Sequence, residues 1–137
     1  MVYSNKINST YQPGHKKIMK LEFAGVKRKE LYSPNHITND YLILNKTAEV
    51  LKMLGHKVTI YDESFIETYG IEEDYIFSMA QGLAGLLKLK ELEAEGKFII
   101  NSPTAALNSY RTTMIKRLTN NKIPFPKSIL INDKNIS

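Results

Sequence analysis

The chain has 137 residues and a net charge of +5, with 42% apolar residues, 24% charged residues and no cysteine. These values lead us to expect one cytoplasmic globular domain, and they exclude disulfides, thiol nucleophiles and cysteine metal sites. The sequence contains no apolar run that could span a membrane, no signal-peptide core in residues 1–20, and no alternation of basic and aromatic residues typical of a nucleic-acid surface.

The first part of the chain predicts an arm, a strand and a helix. Residues 1–15 are polar and contain no acid, which predicts a flexible arm ahead of an α/β domain at residues 16–126. The apolar run from Ile18 to Val26 predicts the first strand. Spacings of three and four predict a helix that Gly55 ends, with Thr38 or Asn39 as its cap. The expected buried positions of this helix are Tyr41, Leu44, Ala48, Leu51 and Leu54.

The middle of the chain predicts two more strands and a helix. Residues 57–61 are rich in β-branched and aromatic residues and predict the second strand, and residues 75–79 predict the third. The acidic connection at residues 62–74 lacks the spacing of metal ligands, and we expect a solvated loop there. Residues 82–95 predict a helix that ends at Gly96. Its expected buried positions are Leu83, Leu86, Leu87 and Leu92.

The last part of the chain predicts a short strand at residues 98–100 and one long helix. Ser102 is expected to cap this helix, with Pro103 in its first turn. Its expected core positions are Leu107, Tyr110, Met114 and Leu118. Two prolines make residues 123–126 stiff and extended, and one more strand is predicted at residues 128–131.

Alternation of strands and helices predicts a three-layer Rossmann-like fold. We expect a mostly parallel sheet of about four strands, with helices on both faces. The apolar first strand should lie centrally, flanked by the strands around Ile60 and Phe77, because doubly covered strands are apolar on both sides. Right-handed crossovers bring the carboxyl ends of the strands to one edge, where such folds bind ligands.

Several polar residues follow the predicted strands. Asn35 and His36 precede a helix N-terminus, where they could hold a carboxylate or phosphate, although ordinary turn chemistry also explains them. Gln81 and Gly82 follow the third strand. Glycines at this point allow either ligand approach or close packing, and the pattern is neither GxGxxG nor a P-loop.

Asn108 and Arg111 form a further candidate pair. Being three residues apart, they would share one face of the predicted helix. Arg111 could then present its planar guanidinium to a phosphate or carboxylate, and a solvated polar stripe is the alternative. No catalytic residue and no metal ligand is predicted within the chain.

The order of these motifs resembles that of ATP-grasp ligases. Ser33-Pro34-Asn35-His36 before a helix and Gly55-His56-Lys57-Val58 at the next strand are similar to the start of such enzymes. The later motifs are similar to the join between the leading domain and the ATP-grasp domain: Ile100-Asn101-Ser102-Pro103, Asn108, Arg111 and Ile123-Pro124-Phe125-Pro126. The group resembled includes glutathione synthetase, D-alanine–D-alanine ligase and ribosomal-protein glutamate ligases.

The resemblance implies the pre-ATP-grasp domain of a carboxylate–amine ligase. Such ligases use ATP and magnesium to convert a carboxylate to an acyl phosphate, which an amine attacks to give an amide. The implied partners are small carboxylate and amine substrates and an ATP-grasp domain, whose linker or first strand would be residues 127–137. The chain alone would bind neither ATP nor magnesium and would be inactive.

The resemblance also assigns roles to the candidate residues. Its implied substrate-binding residues are Ser33, Asn35, His36, Gln81, Gly82 and Asn101. Asn108 and Arg111 would face the ATP-grasp domain or a phosphate. Thr112 follows Arg111, whereas many relatives have lysine at or just after that position.

Two alternatives stay open. The chain could be a stand-alone small-ligand or nucleotide-binding Rossmann-like module, or a non-catalytic interaction domain, and a homodimer is compatible with each. A complete module should end in an element packed on the sheet. Residues 132–137 are instead mostly polar and follow a predicted strand, which favours a cut at a domain linker.

Overall fold

A computed structural model describes residues 19–33 and 35–129 of the chain. Strands and helices alternate through this part, and a short 3-10 helix (Glu30–Tyr32) precedes the first α-helix. The elements are β1 (Glu22–Lys27), α1 (Ile37–Met53), β2 (Lys57–Asp62), α2 (Glu63–Thr68), β3 (Tyr75–Ser78), α3 (Leu83–Ala94), β4 (Phe98–Ile100), α4 (Pro103–Ser109) and α5 (Arg111–Asn120). No helix in the described part of the chain is long and apolar enough to cross a membrane.

The four strands form one parallel sheet in the order β2-β1-β3-β4. In the centre of β1, Ala24 pairs with Thr59 of β2 on one side and with Ile76 of β3 on the other. Helices cover both faces of the sheet, which confirms the predicted three-layer Rossmann-like fold. The central position of the first strand, between the strands around Ile60 and Phe77, is also confirmed.

Each face of the sheet has its own apolar core. On the front face, α1 packs Leu44 and Ala48 against Phe77. On the back face, α2, α3 and α4 cover the apolar side chains of the central strands. The buried back-face core consists of Ala24, Val26, Ile66, Ile71, Ile76, Ala80, Leu86, Leu89, Leu92 and Ile99.

The observed carboxyl ends of α1 and α3 agree with those predicted from the sequence, whereas the amino end of α1 does not. Gly55 and Gly96 have φ angles of +92° and +100°, which confirms the predicted left-handed positions. Ser102 and Pro103 take the predicted places at the start of α4. The expected cap at Thr38 or Asn39 is wrong, because α1 begins at Ile37, directly after His36.

The predicted buried faces of three helices are partly wrong. Met114 of α5, expected in the core, is exposed. Tyr41 and Leu54, expected in the core, are about half exposed. Leu83 and Leu87 of α3 are exposed too, and Leu89 is buried. The buried side of α3 is rotated because Gly85 lies on it, where α2 approaches closely.

The single long helix expected after Pro103 is two helices. Tyr110 separates α4 from α5 with a ψ of 130°, an extended conformation that interrupts the helix. Its hydroxyl donates to the Gln81 carbonyl, which fixes this residue against the loop after β3. Asn108 and Arg111 consequently belong to different helices, so the prediction that they share one helix face is wrong.

The acidic connection is not a solvated loop throughout, as the sequence suggested. Residues 63–68 form α2, with Ile66 fully buried and Glu63 almost so. Ser128 and Ile129 lie in no strand. The remainder of that predicted strand, Ile18 at the predicted start of β1, and the arm at residues 1–15 lie outside the described residues.

Candidate functional site

The loops after β1, β3 and β4 lie at the carboxyl-terminal edge of the sheet. Asn35 and His36 lie in the β1–α1 loop, and both are exposed. Gln81 lies between β3 and α3, and Asn101 directly follows β4. Neighbouring strands are about 4.8 Å apart, so the β1 and β4 loops are separated by roughly 10 Å. The sheet thus brings these four predicted residues to one edge.

Arg28, the residue after β1, connects the start of α1 to the loop after β3 through its side chain. Its Nη1 lies 2.9 Å from Asp40 Oδ2 in the first turn of α1, and its Nε–H donates to the Met79 carbonyl at 3.1 Å. The Ser33 hydroxyl donates to the same Asp40 oxygen at 2.5 Å. Ser33 is buried, so its hydroxyl holds the loop in place. Its predicted contact with a substrate stays a prediction.

Protein atoms fill the space around Arg28 and Asp40. The void next to them has a volume of about 10 Å³, which is room for about one water molecule. Free N–H groups and the helix dipole attract anions to a helix N-terminus. The Asp40 carboxylate places a negative charge in the first turn of α1, where it is paired with the Arg28 guanidinium.

A second carboxylate lies at the amino end of α3. Glu63 is only 1% exposed. Its Oε1 accepts the Gly82 N–H at 2.6 Å, and its Oε2 accepts the Lys29 N–H at 3.0 Å. Gly82 is the residue that precedes α3. The Glu63 carboxylate therefore occupies a position at which a nucleotide-binding fold could place a phosphate.

This buried carboxylate explains two glycines after β3. A Cβ atom on Gly82 would lie 2.6 Å from Glu63 Oε1, and one on Gly85 would lie 2.7 Å from Glu63 Cγ. Both separations are far below van der Waals contact, so a side chain at either position would displace Glu63. Close packing is the structural reason for glycine at these positions.

Tyr110 holds the loop after β3 from the other side. Its hydroxyl donates to the Gln81 carbonyl. Burial raises the pKa of the Tyr110 phenol, and the charges of Tyr32 and Glu63 raise it further. A tyrosine phenol is protonated at neutral pH in any case, and the raised pKa extends the pH range over which this one remains a hydrogen-bond donor. The loop that carries Gln81 is thus fixed through its backbone.

Asn101 joins the ends of β3 and β4. Its φ of 63° lies in the left-handed region, which asparagine tolerates better than most residues. Its Nδ2 donates to the Ser78 carbonyl at 2.8 Å. Asparagine therefore has a structural reason to be here, and its predicted substrate contact stays a prediction.

Asn108 and Arg111 are not brought together as a pair. Asn108 is half-buried in α4, and Arg111 is exposed at the start of α5. Their predicted role at a domain interface or near a phosphate stays a prediction for each residue separately.

Sequence reasoning missed Arg28, Asp40 and Glu63, which organise this edge. The signal for Glu63 was its spacing to Ile66, since residues three apart share a helix face. Gly82 and Gly85 have the same spacing, which indicated a close approach on α3. Asp40 lies in the first turn of a predicted helix, where acids are favoured.

The edge offers amide and imidazole groups for hydrogen bonding. The two longest helices, α1 and α3, each have a carboxylate near the amino end, from Asp40 and Glu63 respectively. The N–H group before α3, which a phosphate would need, is already bonded to Glu63. Within residues 19–33 and 35–129, no group of three or more histidine, aspartate or glutamate side chains could hold a metal ion. The chain matches no protein-family model, no curated protein and no solved structure.

Proposed function

We propose that this chain is the leading domain of an ATP-dependent carboxylate–amine ligase. In this role it lines the site where the carboxylate and amine substrates bind, and it does not bind the nucleotide. Asn35, His36, Gln81 and Asn101 are the groups that would face the substrates. ATP and magnesium would be held by a separate ATP-grasp domain. The motif order of the sequence suggests this family, and the geometry of the edge favours this role over a stand-alone nucleotide-binding module.

The observation that carries the proposal is the Glu63 carboxylate at the amino end of α3. A self-sufficient nucleotide-binding module needs free N–H groups at a helix N-terminus for its phosphates. Here the Gly82 N–H is donated to Glu63, and a phosphate brought beside this buried carboxylate would be repelled. The arrangement therefore argues against the stand-alone nucleotide module.

The hydrogen-bonding groups of the edge suit a substrate role. Amides donate and accept hydrogen bonds, and imidazole does either according to its protonation. Asn35 and His36 are exposed beside an edge that Arg28, Asp40 and Glu63 hold rigid. A rigid edge with exposed polar side chains can position a small carboxylate or amine.

The 137-residue chain alone is expected to show no magnesium-dependent ATP hydrolysis. The reason is that the N–H group before α3 is already occupied by Glu63. Release of inorganic phosphate from ATP would be measured with and without magnesium. A heat-denatured sample is the control for contaminating ATPases. Magnesium-dependent turnover that co-purifies with the folded chain would contradict the proposal.

Alanine at His36 is expected to impair substrate use without unfolding the domain. In the protein that joins this chain to its ATP-binding domain, loss of one hydrogen bond to a charged substrate should raise KM about tenfold. The melting temperature should stay unchanged, because the His36 side chain is exposed.

His56 provides the matched control for His36. Its Nδ1 accepts the Leu21 N–H, and its ring lies 5.3 Å from that of Phe23. His56→Ala should therefore lower the melting temperature while the activity of the folded enzyme is retained. If His36→Ala keeps the full activity, or unfolds the domain as His56→Ala does, the substrate role of His36 is wrong.

A further inference from the structure

One peptide group in the loop after β3 is held at both of its polar ends. This group joins Gln81 to Gly82, so it consists of the Gln81 carbonyl and the Gly82 N–H. The Tyr110 hydroxyl donates to the carbonyl, and Glu63 Oε1 accepts the N–H at 2.6 Å. Two side chains from distant parts of the chain therefore fix the orientation of a single peptide plane.

Without these two hydrogen bonds the peptide plane could flip at little cost. A flip drives the φ angle of the following residue towards positive values, which glycine tolerates and other residues rarely adopt. Gly82 has a φ of −72° in the observed orientation. Packing requires glycine here, because a Cβ atom would lie 2.6 Å from Glu63 Oε1. The hydrogen bonds thus supply the restraint that a side chain at residue 82 cannot.

The substrate edge depends on this restraint through Gln81. Gln81 lies half-buried between β3 and α3. If the observed and flipped orientations of the peptide compete, a ligand that needs one of them binds in proportion to its population. Holding the peptide in one orientation therefore preorganises this part of the edge.

Tyr110 is also the joint between α4 and α5. Its ψ of 130° interrupts the helix, and its carbonyl accepts the Met114 N–H at 2.8 Å in the first turn of α5. Its ring packs against the back-face core. The direction in which α5 leaves the domain is therefore set at the residue that holds the Gln81 carbonyl.

The rest of α5 is loosely attached to the domain. None of its residues, Arg111–Asn120, is buried, and α4 is the element that it contacts most. A helix with few buried contacts can change its direction at a low cost in free energy. Such a change would act mainly on Tyr110, where the helix begins.

We infer that Tyr110 is a positioning residue that links the direction of α5 to the backbone of the loop after β3. A displacement of α5 moves the Tyr110 hydroxyl away from the Gln81 carbonyl, and the released peptide can then turn away from Glu63. A change in the loop reaches α5 through the same hydroxyl, because such coupling is reciprocal. The consequence for substrate binding rests on the proposed function, in which Gln81 faces the substrate.

Tyr110→Phe tests the hold on the peptide, because it removes the hydroxyl and keeps the ring that packs on the core. In the chain alone, NMR-detected hydrogen exchange of the Gly82 amide should become about tenfold faster relative to that of Ile76 in the sheet. Tyr61→Phe is the matched control. It removes a hydroxyl that bonds Glu73 at 3.1 and 3.2 Å, on the other side of β1, and should leave this ratio unchanged.

Glu63→Gln tests the link between the loop and α5. The altered acceptor at Gly82 should shift the Met114 amide resonance, because the Met114 N–H donates to the Tyr110 carbonyl. This shift should be lost when Tyr110→Phe is also present. Glu72→Gln, at an exposed carboxylate of the acidic connection, should cause no shift.

Three results would overturn the inference: unchanged Gly82 exchange in Tyr110→Phe, an equal effect of Tyr61→Phe, or a Met114 response that is absent or persists without the hydroxyl. The proposed function is judged separately, in the protein that joins this chain to its ATP-binding domain. If the NMR results are as expected but Tyr110→Phe leaves KM unchanged in that protein, the link stands and the substrate role of Gln81 is wrong.

Discussion

Replacing Glu63 with alanine is expected to lower the free energy of unfolding by about 3 kcal/mol, because two backbone donors lose their acceptor in a buried site. These donors are the N–H groups of Lys29 and Gly82. Glu63→Gln should lose roughly half as much, since its amide keeps one carbonyl oxygen. Urea denaturation monitored by circular dichroism measures both variants.

Glu72→Ala is the matched control for Glu63. Glu72 lies in the same acidic connection, but its side chain is exposed. Its replacement should change stability by less than about 0.5 kcal/mol. A Glu63→Ala variant as stable as Glu72→Ala would mean that the carboxylate does not hold α2 and α3 together.

Alanine at Gly85 should destabilise the domain by about 2 kcal/mol, even though glycine to alanine within a helix normally stabilises by up to about 1 kcal/mol. The reversed sign follows from the position of the new Cβ, 2.7 Å from Glu63 Cγ and 2.8 Å from Glu63 Oε1. Glu63 is buried and bonded at both oxygens, so it cannot move aside without losing those bonds. Thermal and urea denaturation of the single variant measure the effect.

Two comparisons isolate this contact. Gly70→Ala meets no atom within 4 Å, and it should be neutral or slightly stabilising. In the Glu63→Ala background the penalty of Gly85→Ala should vanish, because the clashing side chain is gone. An equal penalty in both backgrounds would show that Glu63 is not the cause.

The sheet could be predicted from sequence because its signals are local and repeated. The apolar run that overlaps β1 predicted a strand covered on both faces, and the β-branched residues of β2 predicted its neighbour. Gly55 and Gly96 marked the ends of α1 and α3 through a conformation that other residues rarely adopt. These features depend on single elements and needed no knowledge of tertiary contacts.

The buried faces of the helices and the break at Tyr110 depend on contacts between distant residues. α3 buries Leu89 and exposes Leu83 because Gly85 packs against Glu63 of α2. Glu63 lies 22 residues earlier in the chain, so no local pattern reveals this contact. Tyr110 ends α4 where its hydroxyl reaches Gln81. Periodicity predicts which residues can share a face, but it does not predict which face a neighbour will approach.

The candidate edge was predictable in position but not in chemistry. Parallel topology predicted that the loops of His36, Gln81 and Asn101 would lie at one edge. A buried glutamate within an acidic stretch looks like its solvated neighbours in sequence, since only its partners distinguish it. The spacing of Glu63 to Ile66 indicates a shared helix face, but the burial of its carboxylate follows only from its two hydrogen bonds.

The central claim is that the chain does not bind the nucleotide itself, because Glu63 accepts the N–H group before α3 and Asp40 places a carboxylate in the first turn of α1. It is tested most directly by an NMR titration. The ¹⁵N-labelled chain would be titrated with magnesium–ATP to roughly 10 mM, ten times the concentration that half-fills a millimolar site. The amide resonances of Gly82, of Leu83 and of the first turn of α1 should show no saturable shift. Saturable shifts at either helix N-terminus would contradict the claim, because a nucleotide would then bind where Glu63 or Asp40 already lies.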